Sequence, residues 1–191
     1  MAEQNNGVWS KPRAWWRFGV PIGGLLAFVV GALAWVGFDY SLHWSSTNEF
    51  CTSCHNSPSA WVWEEYQQTP HYNTASGIAA TCHDCHIPNE FFPKLWVKGT
   101  SALKHVSHQI LDPYQDKAEF EQNRLRLAEQ VWAAYRKDDS KNCRSCHDVN
   151  QWDMAKQSET AAQFHQVLYE EEHPTCIDCH KGIAHHLPQQ W

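Results

Sequence analysis

The chain has 191 residues, a formal charge of −6, 19% charged and 42% hydrophobic residues. That length holds about one soluble domain and an appendage, and the negative balance speaks against a nucleic-acid partner. Thirteen histidines, eleven tryptophans and eight phenylalanines are many for a chain of this size.

The first element is an uninterrupted apolar run over residues 18–38, from Phe18 to Phe38, with no charged side chain. It matches the ~20 residues a helix needs to cross a bilayer. Lys11, Arg13 and Arg17 precede it and Asp39 follows, so the positive-inside rule sets the N-terminus in the cytoplasm. Trp15, Trp16, Trp35 and Trp44 stand at or beyond its ends, as interfacial anchors do. The competing reading is a cleaved signal peptide, for which Ala32-Leu33-Ala34 offers a small-x-small site. The length of the run and its continuation past that site favour a retained anchor. Under either reading residues 39–191 are exported.

All eight cysteines then fall in one repeated word, C-x-x-C-H: Cys51/Cys54/His55, Cys82/Cys85/His86, Cys143/Cys146/His147 and Cys176/Cys179/His180. This is the attachment word of c-type haem. Two thiols form thioethers to the porphyrin and the following histidine ligates the iron from one side. Zinc sites use paired cysteines too, but do not need a histidine after every second one. A thioredoxin-like redox site or a disulfide framework gives no reason for the fourfold repeat. Four haem c groups on so short a chain point to electron transfer. They also supply flat apolar surface, so little conventional core is expected and the fold should depend on cofactor attachment.

Between words two and three the pattern predicts two helices. Residues 90–111 carry Phe92, Leu95, Trp96, Leu103, Val106 and Ile110 on one stripe and Lys94, Lys98, Ser101, His105 and His108 on the opposite one. The apolar stripe suits a membrane interface or a haem face; the polar stripe reads equally as a solvated surface. Residues 116–137 form a second helix, with Phe120, Leu127, Val131, Ala134 and Tyr135 expected inward.

The words group in pairs. The first cysteines of words one and two are 31 residues apart and those of words three and four 33 apart, whereas words two and three are 61 apart. His71 precedes Cys82 by 11 residues and His165 precedes Cys176 by 11. Each half thus offers a free histidine at the same offset, as two related di-haem modules would.

These motifs and spacings resemble the membrane-anchored tetrahaem quinol dehydrogenases of the NapC/NirT/NrfH family, most closely the NapC/NirT type. The likeness runs through Thr47-Asn48-Glu49-Phe50-Cys51, His71-Tyr72-Asn73 with Ser76-Gly77, Arg144-Ser145, and Cys176-Ile177-Asp178-Cys179-His180-Lys181-Gly182-Ile183-Ala184-His185. It implies that the chain oxidises menaquinol or ubiquinol and passes electrons to a periplasmic reductase of nitrate, nitrite or an N- or S-oxide, or to that enzyme's cytochrome subunit. It implies a single-pass protein of the bacterial inner membrane with its haem domain in the periplasm, in contact with lipid, its oligomeric state left open. With an end at Trp191, the four-haem type is expected.

The resemblance also carries ligands. His71 would be the distal ligand of haem 4, His185 of haem 3 and His165 of haem 2, while His55, His86, His147 and His180 ligate from their own words. His186 is a substitute for His185. The family's methionine after word one is replaced by Ser57, and a histidine after word two by Asn89. Haem 1 is therefore expected to be short of a ligand, unless His105 or His108 takes the place. Lys98 matches a lysine at the family's quinol pocket, and His105 stands near the place of a missing acid, able to accept a proton near neutral pH. His43, His83 and His173 default to surface roles.

The expected fold is mainly α with extensive irregular loops. It comprises an N-terminal stretch 1–17, a transmembrane helix 18–38 and a multihaem cytochrome c domain 39–191. Two di-haem modules, about 45–111 and 138–191, flank a helical insert at about 112–137. Two further functions stay open: a terminal reductase acting on a small oxidant at an open haem, and a passive electron wire or haem-storage module.

Overall fold

The computed structural model describes residues 16–17, 20–54, 58–189 and 191. Lys11, Arg13, Trp15, His55 and Ser57 lie outside these residues. The chain divides into two compact units, one ending at Ser46 and the other beginning at Thr47.

In the first unit a two-residue antiparallel pair, β1 (Trp16–Arg17) with β2 (Val20–Pro21), precedes the long helix α1 (Ile22–Trp44). The helix begins after Pro21 and runs past Phe38, beyond the apolar stretch. Its extension is supported locally: His43 Nδ1 lies 3.4 Å from the Asp39 carboxylate one turn earlier, and the Ser45 and Ser46 hydroxyls donate to the Leu42 carbonyl at 3.2 and 2.6 Å. At 1.5 Å per residue its 23 residues exceed the roughly 30 Å of bilayer hydrocarbon. Leu26, Phe28, Leu33, Trp35 and Val36 are all exposed, and among the described residues α1 alone is long and apolar enough to cross a membrane. Ala32–Ala34 lie within continuous helix.

The second unit is helices joined by long irregular segments, so the mainly α expectation holds. α2 (Asn48–Thr52), α3 (Pro58–Tyr66), α4 (Cys82–His86), α5 (Phe91–Leu111), α6 (Lys117–Lys137), α7 (Lys141–Arg144), α8 (Glu159–His165) and α9 (Cys176–Cys179) follow in order. The buried apolar side chains among the described residues are Tyr66, Tyr114, Phe120, Trp132, Val149 and Ile177. Phe120 and Trp132 lie on α6 itself, where Trp61 of α3 packs on Phe120 with ring centroids 5.5 Å apart, and Tyr114 on Phe120 at 6.1 Å. A buried ion pair crosses the same seam. Arg124 donates to both carboxylate oxygens of Glu65 and to Glu121, and its guanidinium lies 4.7 Å above the Phe120 ring.

The inward face of α6 is therefore Phe120, Arg124 and Trp132, and Ala134 is exposed. Of the expected stripe Phe120 is buried, Leu127, Val131 and Tyr135 are half-buried and Ala134 is exposed, and Arg124 joins that face because it is buried with its partner Glu65. α6 starts at Asp116, whose carboxylate accepts from the Glu119 amide at 2.9 Å. It ends in two consecutive left-handed residues, Asp139 (φ 53°) and Ser140 (φ 49°), a conformation unusual for side-chain-bearing residues. Arg144 donates to Asp139 at 3.0 Å, and the fully buried Ser140 amide donates to the Tyr135 carbonyl at 2.6 Å. These bonds turn the chain directly into word three.

Candidate haem-binding site

The four words fold as two similar couples. In words two and four the attachment cysteines open the short helices α4 and α9, each begun by a reciprocal threonine–aspartate cap. Thr81 donates its amide and hydroxyl to Asp84 at 2.7 and 2.8 Å; Thr175 does the same to Asp178 at 2.9 Å each. In words one and three a serine closes the turn instead: Ser53 donates to the Phe50 carbonyl at 2.8 Å and Ser145 to the Asn142 carbonyl at 2.7 Å. A cross-link repeats as well. Asn48, three residues before Cys51, accepts from the Cys82 amide at 2.9 Å, and Ser140, three before Cys143, accepts from the Ile177 amide at 3.3 Å. The T-C-x-D-C-H pattern of words two and four was visible in the sequence as a sharper sign of duplication than histidine spacing.

These links bring the first cysteines of each couple into thiol contact, Cys51 with Cys82 and Cys143 with Cys176. Each contact splits the pair. The hydrogen bond from Cys82 lowers Cys51 to about 7, against burial and with help from Lys98. The bond from Cys143 lowers Cys176 to about 6. Cys82 and Cys143 are pushed up by the same bonds. Cys54, Cys146 and Cys179 are exposed. Among the described residues no group of three or more histidine, cysteine or acidic side chains converges on a bare-metal site.

Three imidazole couples lie beside the words. His71 and His147 have ring centroids 6.2 Å apart, His86 and His185 6.2 Å, and His165 and His180 5.9 Å. Two imidazoles on opposite sides of one metal, each nitrogen about 2 Å away, put their centroids roughly 6 Å apart. The residues present thus fit bis-imidazole haem c. Each couple joins one word histidine to one remote histidine. The partners differ from those the resemblance implies: His71 lies against word three, His185 against word two and His165 against word four. Chain geometry dictates this. The Tyr66 hydroxyl holds the His71 carbonyl at 3.1 Å. Glu65 accepts the His186 amide at 2.9 Å and Arg124 donates to the His186 carbonyl at 3.3 Å, so the buried ion pair tethers the C-terminal segment and sets His185 near Tyr66 and His86.

The surroundings favour neutral imidazole, the ligating form. His86 keeps an accessible face, yet burial among its neighbours drives its pKa down to about 4, with His185 and His105 adding repulsion. Burial also lowers His185, outweighing the opposite pull of Glu65. Nδ1 of His71 is buried with no hydrogen-bond partner; that of His185 has no well-formed bond, only the Val62 carbonyl nearby. Such atoms are rare in a finished interior. His165 is held differently: its Nδ1 bonds Gln157 Oε1 at 2.6 Å and Trp152 packs at 4.9 Å, leaving the other nitrogen for a metal. His186 is exposed and its Nδ1 lies 3.7 Å from Glu65.

α5 runs past this assembly with its polar stripe turned toward the words. Half-buried Lys98 acts on Cys51 of word one. Burial lowers its pKa, Lys94 adds to the shift, and Cys51 opposes it. His105 acts on His86 and is itself lowered by burial, then by Lys104 and His108. His108 packs on Tyr114 at 4.7 Å. His83, whose Nε2 is buried without a hydrogen-bond partner, is lowered by burial and by Lys94 and Lys98. The solvated reading of the polar stripe is therefore wrong for Lys94, Lys98 and His108, which are half-buried.

Coupled attachment words with paired imidazoles define a multihaem c-type cytochrome. Residues 16–190 match the NapC/NirT cytochrome c family, N-terminal region. The chain is 37% identical to the cytochrome c-type protein NapC of Escherichia coli K12, over 98% of this chain and 94% of that one. It is 39% identical to the denitrification system component NirT of Stutzerimonas stutzeri, over 88% and 83%. A solved structure, cytochrome c nitrite reductase NrfHA complex bound to the HQNO inhibitor, aligns at a TM-score of 0.48 and 22% identity over 85% of this chain and 89% of that chain. The chain belongs to the NapC/NirT cytochrome c family.

Proposed function

We propose that this protein is a tetrahaem quinol dehydrogenase, anchored by α1 in the inner membrane with its N-terminus in the cytoplasm, that feeds electrons to a periplasmic reductase. The observation that carries the reading is the set of three imidazole couples, each joining a C-x-x-C-H word to a remote histidine. In it His71 and His147 hold haem 3, His86 and His185 haem 2, and His165 and His180 haem 4. His55 ligates haem 1. The eight cysteines make the thioethers. Bound there, haem c supplies one-electron redox chemistry.

The chain's own residues do the rest. Quinol gives up two protons with its two electrons, so a base must stand at the hydroxyl. Lys98 is that group, because it lies beside word one, the first word after the anchor. Burial favours its neutral form, and a Cys51 held as a thioether carries no charge to oppose that shift. His105, also lowered, receives the proton from the same stripe and releases it to water. Glu65 and Arg124 act at a distance by holding the segment that presents His185.

The test is delivery. Full-length holoprotein in vesicles, reduced by a menaquinol or ubiquinol analogue, is mixed anaerobically with soluble nitrate, nitrite or N- and S-oxide reductases. Rapid haem reoxidation by one of them together with its substrate supports the assignment and names the partner. Reoxidation by the small oxidant alone, with no reductase present, would make the chain a terminal reductase instead.

A further inference from the structure

α5 is inside out. Phe92, Trp96, Leu103, Val106 and Ile110 recur at i, i+4, i+11, i+14 and i+18 and form a single face, yet they are 79, 74, 77, 56 and 73% exposed. The polar stripe opposite them, with Lys94, Lys98 and His108, is half-buried against the protein. A soluble helix turns its apolar face to the core. Haem does not account for the reversal, since the attachment words lie on the polar side, where Lys98 is near enough to act electrostatically on Cys51 and His105 on His86. A contiguous bare apolar face marks a partner or a lipid surface.

We propose that the apolar face of α5 lies in the outer interface of the bilayer, as a second, in-plane membrane contact beyond the spanning helix. Two features select lipid. The first is charge: Lys98 set aside, α5 carries Lys94 and the exposed Lys104 and no acidic residue, in a chain whose formal charge is −6. That local positive balance complements anionic headgroups. The second is the anchor itself, because only residues 45–50 separate Trp44 of α1 from Cys51, so a bilayer that holds α1 is within reach of the following domain. Aromatic Phe91, Phe92 and Trp96 at one end and aliphatic Leu103, Val106, Ile110 and Leu111 along the rest are the composition of an interfacial helix. The inference rests on the membrane anchoring proposed above.

Haem attachment consumes all eight native cysteines, so an added one can be labelled alone. Full-length holoprotein carrying Leu103→Cys or Ile110→Cys, with Glu129→Cys on the exposed side of α6 as reference, is spin-labelled and reconstituted in vesicles containing anionic phospholipid. Flotation with the vesicles reports anchoring; accessibility of the label to oxygen and to a water-soluble nickel chelate reports α5. The proposal expects labels at 103 and 110 to have an oxygen-to-chelate ratio severalfold above that at 129. Labels that behave like position 129 in floating protein overturn the α5 contact and leave the anchor standing. Labels shielded from both reagents overturn it in favour of a protein partner or a second copy. Failure to float removes the anchoring reading and this inference with it.

Discussion

In the proposed function Lys98 and the three remote histidines carry the chemistry, and Lys98 and His185 each yield a separate test. Lys98→Gln keeps a polar side chain, one atom shorter, but removes its basicity, so quinol-driven haem reduction should slow by about a hundredfold, the lower range for loss of an acid–base group. Haem content should stay unchanged; lost haem would make Lys98 structural. His185→Ala should leave the thioethers intact and convert one haem to a high-spin spectrum, because His86 loses its facing ring. An unchanged spectrum in His185→Ala together with His186→Ala would remove this segment from the ligand set. The words and the matching offsets of His71 and His165 were legible in the sequence because attachment chemistry is local. The ring partners were not, because they depend on where α3 and α6 place Glu65 and Arg124, 59 residues apart in the chain.

At the scale of elements, the α3–α6 seam holds the second unit together. Glu65→Gln leaves the buried Arg124 charge with Glu121 as its remaining acid and should destabilise the folded protein by about 2 kcal/mol through the lost charged hydrogen bonds, read as a lower denaturant midpoint, with His185 ligation weakened in parallel. The pair also sets an acid limit. Burial pushes the Glu65 carboxyl up, but Arg124 and the His186 amide outweigh it and hold it below its ordinary value of 4.5. A depressed folded-state pKa adds stability that is complete above the unfolded value and is lost as pH falls through the folded one. Wild type should therefore lose stability below about pH 4 more steeply than Glu65→Gln, which a pH series of denaturation midpoints checks. The spans of α5 and α6 were readable from periodicity. The burial of Arg124 on α6 was not, because it depends on Glu65, nor was the direction of α5, whose apolar face turns outward, a choice that periodicity alone cannot reveal.

Among the described residues of the whole chain, few large side chains are buried and many apolar ones are exposed, so the second unit has little to hold it once its cofactors are missing. Chain produced without haem attachment should lack a cooperative thermal transition in circular dichroism, whereas holoprotein should show one. A sharp transition in the haem-free chain would mean the polypeptide core suffices. The coupled words, repeated caps and imidazole couples unite these scales, since under the proposed function they form a conduit whose first word follows α1. The central claim is that this conduit is filled from quinol. The direct measurement is anaerobic mixing of vesicle-reconstituted holoprotein with a menaquinol or ubiquinol analogue, following haem absorbance. Rapid reduction is expected, slowed by Lys98→Gln without loss of haem. Haems that stay oxidised with both quinols yet reduce fully with dithionite would contradict it.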